Sequence, residues 1–262
     1  MQTRGFSLVE LSIVLVILGL LTGGILAGQS LIRASELRAV SVEYSRYVTA
    51  AQSFRDKYFA YPGDFSKATQ FWGRLNSNAD CVTNSSAAVA TPGACDGNMD
   101  GQVTAGGTAS TSTESFQFWR HLANAGLIEG SYTGIAGPNT GWAGNDAVLG
   151  TNTPRSKLSG GGWGIFYNNA AGDTATYKNN YGNMLIFGAQ NPGNYPTAAT
   201  LKPEEAWNID TKLDDGKPGT GKIWAWPFIN NCTTSASNTD YAGAYALSTT
   251  SVVCALWFAN AF

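Results

Sequence analysis

Between Phe6 and Ile32 the chain carries a single charge, Glu10. From Leu11 to Gly28 the run is uncharged and largely apolar over 18 residues, close to the shortest helix that spans a bilayer. The five residues before it, Met1-Gln2-Thr3-Arg4-Gly5, are polar and positively charged. A secretory signal would place a small-residue cleavage site after the apolar stretch, whereas here the switch at Gly5–Phe6 comes before it. Glu10 is the exception that needs explaining. A carboxylate near bilayer depth costs about 2.5–3.5 kcal/mol on the insertion scale and calls for a partner. The plainer alternative is an interfacial Glu at the start of a membrane anchor.

The residues Gly5-Phe6-Ser7-Leu8-Val9-Glu10-Leu11 resemble the prepilin peptidase recognition motif of type IV pilins and type II secretion pseudopilins. The resemblance implies removal of a leader (1–5) by cutting after Gly5 and methylation of the new N-terminal Phe6. It also implies that Glu10 neutralises the Phe6 amine of a neighbouring subunit. Opposite charges meeting in a low dielectric would answer the burial problem. Its implied partners are the prepilin peptidase, an inner-membrane assembly platform and identical or related pilin subunits. The implied location is the bacterial inner membrane, single-pass with the head in the periplasm, and then an extracellular pilus or a periplasmic pseudopilus. Many pilins carry a proline within the anchor; this chain has none before Pro62, although Gly23, Gly24 and Gly28 would weaken the helix there.

Beyond the anchor, Leu37, Tyr44, Ala51 and Tyr58 recur every seven residues, with Val40, Tyr47 and Phe54 interleaved. An aromatic stripe of this kind reads as the face that packs on a globular head. The expected organisation is an N-terminal helix over 6–58, membrane-spanning at about 11–32, and an extracellular head over 59–262. A helix from Phe6 to about Lys57 would be ~78 Å long at 1.5 Å per residue. Arg33, Glu36, Arg38, Glu43, Arg46, Arg55 and Asp56 occupy its remaining faces and read first as solvated surface.

Tyr61-Pro62-Gly63-Asp64 predicts the end of that helix, and a short helix follows over Lys67–Trp72, capped by Asp64 or Ser66. Helices are also predicted at Glu114–Ala125, closed by Gly126, and at Pro203–Lys212. Strands are predicted at 164–167, 184–188, 222–226, 241–247 and 251–258, separated by Gly- and Asn-rich turns. The fold class is therefore α+β, a long N-terminal helix packed on a loop-rich antiparallel β head with short helices. Charged residues make up 13% of the chain and the net charge is −2, so no basic field is present to hold nucleic acid.

Four cysteines, Cys81, Cys95, Cys232 and Cys254, form an even set without a CxxC pair. In an exported chain two disulfides are expected. Three connectivities are open; Cys81–Cys95 and Cys232–Cys254 are favoured as short local loops, each worth ~3 kcal/mol by loop entropy. The second pair also resembles the C-terminal disulfide loop of many pilins.

Asp96-Gly97-Asn98-Met99-Asp100-Gly101-Gln102 places oxygen ligands on alternate residues before a glycine turn, as in the first half of a calcium loop. Gln102 would give its carbonyl, and Glu114 would close the site in place of the missing twelfth-position Glu. The rival role for Glu114 is a capping box begun at Thr111. No cofactor is required; calcium is the one ion suggested. A second acidic group, Asp210, Asp214 and Asp215, reads as a solvated turn balanced by Lys212 and Lys217.

No catalytic constellation stands out, and the chain is not expected to be an enzyme. The lone histidine, His121, sits in an apolar helical stretch, and Gly160-Gly161-Gly162-Trp163-Gly164 lacks the Lys of a phosphate loop. The leading reading is a structural filament subunit. Its alternative is a minor or tip pilin whose head acts as an adhesin or ligand-binding module through exposed tryptophans.

Overall fold

The computed structural model describes residues 7–75, 92–104, 114–139, 141, 145–169 and 174–262. Helix α1 spans Leu8–Tyr58, 51 residues and ~77 Å. Ser7 caps it and Glu10 reaches back to the Ser7 N–H, so the start of the helix satisfies its own orphan donors. It stops where Phe59 turns into the left-handed region (φ 57°) and its N–H bonds the Arg55 carbonyl.

Helices α2 (Ala68–Trp72), α3 (Glu114–Asn124) and α4 (Pro203–Leu213) are short. Strands β1 (Gly161–Asn168), β2 (Gly182–Ala189), β3 (Ile223–Trp226) and β4 (Ala255–Phe258) form one antiparallel sheet in the order β1-β2-β4-β3. Trp163 stands opposite Phe187, Ile165 opposite Leu185, and Trp224 opposite Trp257.

Alternation along these strands builds two cores. Trp163, Ile165, Leu185, Phe187, Ile223, Leu256 and Phe258 point to the helices and join the upper half of α1. Met184, Ile186, Trp224 and Trp257 point the other way and are covered by Tyr177, Tyr181, Tyr195 and Phe228 from connecting segments. Burial on both faces explains why the strands read as near-continuous apolar runs.

The stripe on α1 packs as expected. Val40, Tyr47, Ala51 and Phe54 are buried, with Leu37, Tyr44 and Tyr58 beside them. Tyr47 meets Trp119 and Trp163 edge-on (5.0 and 5.6 Å), and Tyr44 stacks on Phe258 at 4.5 Å. Two polar fastenings hold the helix to the head. The Glu43 carboxylate accepts from Ser156 Oγ, the Lys157 N–H and Trp163 Nε1 at 2.7–2.9 Å. Nearer the anchor, Arg33 makes a bidentate pair with Glu205 of α4 (2.6 and 2.7 Å) and donates to the Thr200 carbonyl.

Three local expectations change. The segment 241–247 is not a strand. It contributes a single bridge, Tyr245 to Thr233, because it closes against the Cys232 turn through short loop bonds instead of entering the sheet. The last strand begins only at Ala255, since the Cys254 backbone is taken by Leu201. Neither Asp64 nor Ser66 caps α2; Asp96 does, accepting from the N–H and hydroxyl of Thr69 at 2.7 and 2.9 Å.

Cys232 and Cys254 form a disulfide (Cα–Cα 5.3 Å). Cys95 is buried and no described cysteine is free, while Cys81 lies outside the described residues. Because Phe54 is fully buried near the distal end of α1, Phe54→Ala is expected to cost about 3–5 kcal/mol. Chemical denaturation followed by tryptophan fluorescence would measure it, and a loss below 1 kcal/mol would contradict this packing.

Candidate functional site

The anchor and the head divide α1 between them. All of its apolar side chains from Leu8 to Ile32 are exposed, and no part of its most apolar stretch is buried against the head. The hydroxyls in this half are satisfied within the helix. Ser12 donates to Val9 O, Thr22 to Leu18 O and Gly19 O, and Ser30 to Ala27 O, so none needs water. Such a surface is suited to lipid or to a bundle of like helices. Glu10 lies at its start and accepts the Ser7 N–H at 2.9 Å, which leaves the carboxylate exposed toward any neighbour. Gly5 and Phe6 lie outside the described residues.

At the other end of α1 three carboxylates converge. Single oxygens of Asp64, Asp100 and Glu114 lie within 4.8 Å of one another. Asp64 is 2% exposed and accepts from the Asp100 and Gly101 N–H groups (3.0 and 2.9 Å). Glu114, at the start of α3, accepts from the N–H groups of Asn98 and Thr104 and from the Thr104 hydroxyl. Asn98 bonds Asp100 through both its amide atoms, and the Gln102 N–H donates to Asp100 Oδ1 at 2.8 Å. Burial, above all, pushes Asp64 up to about 6, with the Glu114 and Asp100 charges adding to it and the two N–H groups opposing. Burial likewise raises Glu114.

The geometry brings together Asn98, Asp100, Gln102 and Glu114 of the residues expected from sequence, and sends Asp96 away to α2. Asp64 takes its place. The sequence marks Asp64 only as part of the turn that ends α1 and as a candidate cap for α2, not as a ligand. Close backbone approach joins the two segments. A Cβ on Gly97 would lie 2.4 Å from the Asp64 backbone, and one on Gly63 2.4 Å from the Glu114 carbonyl. Thr111, the other half of the expected capping box, lies outside the described residues. Three carboxylates beside an alternating-oxygen loop have the donor chemistry that a hard divalent cation takes.

His121 is a packing residue. Its Nδ1 accepts the Gly63 N–H at 2.9 Å and its Nε2 faces the Cys95 carbonyl at 3.0 Å. Burial lowers its pKa to about 3, so it stays neutral, with both nitrogens committed to backbone. Trp119, Trp163, Trp224 and Trp257 are buried and Trp226 stacks on Trp257, whereas Trp207 is 38% exposed; Trp142 lies outside the described residues.

The second acidic group also assembles. Asp210 is buried, accepting from Tyr245 Oη (2.8 Å) and the Gly216 N–H (3.1 Å), with Asp214 and Asp215 close by. Burial first, then the Asp215 and Asp214 charges, hold Asp210 at about 7 despite these donors.

Residues 1–26 match the family model described as the prokaryotic N-terminal methylation motif, the type IV pilin and pseudopilin signature. No curated protein and no solved structure matches the chain.

The Asp210 shift has a defined sign. The folded state binds its proton more tightly than the unfolded chain, so its contribution is fully present below about pH 4 and is lost as the pH rises to about 7. The melting temperature of Asp210→Asn minus that of the wild type is therefore expected to rise between these values and to level off above pH 7. A difference independent of pH would refute this assignment.

Proposed function

We propose that this chain is a structural subunit of a type IV pilus or of a type II secretion pseudopilus-like filament, processed by prepilin peptidase and assembled through α1. The carrying observation is the methylation motif at residues 1–26 running into a helix with one half wholly exposed and apolar and the other half built into a head. Cleavage after Gly5 leaves Phe6 as the methylated terminus. In the membrane the exposed half of α1 is solvated by lipid; in the filament neighbouring anchors replace the lipid. Glu10 then meets the Phe6 amine of an adjacent subunit and sets the register. A carboxylate and an ammonium transferred together into an apolar bundle offset each other's desolvation, which neither could do alone.

Glu10→Val is expected to leave processing to a methylated Phe6 intact, as read by intact mass, while incorporation into filaments falls at least about tenfold. Normal incorporation would remove Glu10 from the assembly mechanism. An unprocessed Met1 terminus in a host with active prepilin peptidase would remove the filament reading itself.

We also propose Ca²⁺ for the cluster of Asp64, Asp100 and Glu114, with Asn98 and Gln102 in the same loop. Millimolar Ca²⁺ is expected to raise the melting temperature of the processed chain, and excess chelator to reverse the gain. Asp100→Asn should abolish most of the response. A melting temperature indifferent to both would exclude the ion.

A further inference from the structure

We infer that a basic cleft at the base of the head receives the acidic distal loop of a second copy of this chain; the inference rests on the filament reading. The cleft, of about 440 Å³, lies between α1 and the segments around Glu129 and Arg155. Arg38, Arg46, Arg155 and Lys157 line it and are all exposed. Among the described residues Arg38, Arg155 and Lys157 form no ion pair, and Arg46 only approaches Glu129 at 3.7 Å. The remaining acid, Glu43, is turned inward to Ser156, the Lys157 N–H and Trp163. Arg155 donates to the Leu149 carbonyl at 3.0 Å, so Arg38 and Lys157 are the cations of the cleft with neither an ion pair nor a side-chain hydrogen bond among the described residues. Val42, 67% exposed, adds an uncovered apolar side chain on this face of α1.

The complementary surface lies at the opposite end of the same helix. The exposed Asp100 carries this surface, with the half-buried Glu114 and the buried Asp64 beside it, and the three have no Lys or Arg within ion-pair distance among the described residues. The loop that carries Asp100 is exposed at Asn98, Met99, Asp100 and Gly101. Even with a divalent cation bound, three carboxylates leave a net negative charge, so this surface and the calcium proposal are compatible.

Orientation selects the pairing. Anchors inserted in one membrane keep the copies parallel, and parallel copies shifted along their axes cannot present the same patch to each other. Their contact must be heterologous, one surface against a different one, which is also the geometry that propagates into a filament. A basic base and an acidic tip on every copy meet that requirement. Between them α1 runs from Val42 to Tyr58, about 24 Å at 1.5 Å per residue, which sets the axial shift of the partners. Lipid headgroups fit the cleft less well. Arg38 and Arg46 stand six and fourteen residues past Ile32, about 9 and 21 Å along the helix, whereas headgroup layers extend only about 5–8 Å beyond the hydrocarbon. Exposed charges of this kind add little affinity and mainly set partner and register.

The test uses the full chain assembled in its native host. Arg38→Glu with Lys157→Glu is expected to lower filament incorporation at least about tenfold while the melting temperature stays at the wild-type value. Independently, Val42→Cys and Met99→Cys subunits co-expressed in filaments should be joined by a bismaleimide, and neither variant alone should be. Wild-type incorporation of the charge-reversed chain, or filaments without the mixed cross-link, would overturn the inference and leave the filament reading standing. So would a reversal that alters only retention on anionic membranes. Absence of filaments from the wild type would instead overturn the filament reading.

Discussion

The structure depends on one backbone element meeting two environments. Helix α1 runs unbroken for 51 residues, but its first half has apolar side chains on every face and its second half on one. The change falls near Arg33, the first charge after Glu10. There the guanidinium grips Glu205 of α4 and the Thr200 carbonyl, and the head begins. Below that point the helix has no side chain buried against the described residues of the head; above it, Val40, Tyr47, Ala51 and Phe54 are part of a core the head could not complete alone. The head is in this sense folded around a helix whose other half keeps its apolar side chains exposed.

The shape of the head follows from that arrangement. Inward-facing side chains of the sheet and α3 and α4 enclose the aromatic stripe of α1, and Glu43 fixes the helix by hydrogen bonds to three groups around β1. Among the described residues no helix lies over the outward face of the sheet. Tyr177, Tyr181, Tyr195 and Phe228 from connecting segments cover it instead, which is why a chain so rich in Gly and Asn turns also needs so many aromatic residues. The buried tryptophans accordingly fill volume between loops.

Much of this was legible because it is periodic. The anchor, the stripe from Leu37 to Tyr58, the apolar face of α3 and the central strands announce themselves by spacing, α2 and α4 by turn, cap and proline signals, and the Cys232–Cys254 pairing by proximity. The misreadings concern contacts that carry no period. Tyr241–Leu247 has strand-like residues but spends its hydrogen bonds on the turn at Cys232. Asp96 and Asp64 exchange expected roles. The sequence shows a loop with alternating oxygens, but which carboxylate turns toward α2 and which toward Glu114 is decided by how closely Gly97 can approach the Asp64 backbone. A distance between segments thirty residues apart leaves no mark in either one.

That approach also explains why the acidic cluster cannot simply relax. Gly63 is held by His121, whose other nitrogen is tied to Cys95, and no Cβ fits at Gly63 or Gly97. Asp64 is bonded to two successive N–H groups of the facing loop, and Glu114 starts a helix whose buried face includes Phe118, Trp119 and Leu122. The three carboxylates therefore keep their spacing whatever their ionisation, and their mutual repulsion has three routes of relief: a proton, a bound cation, or positive charge from outside the chain. The proton route closes as the pH rises past the Asp64 value of about 6. Near neutrality the distal end of α1 consequently gains most from a cation or a basic surface, while at the base of the head Arg38, Arg155 and Lys157 form no ion pair among the described residues. The close packing that preserves the cluster is thus what leaves its charge to be met by a cation or a basic group.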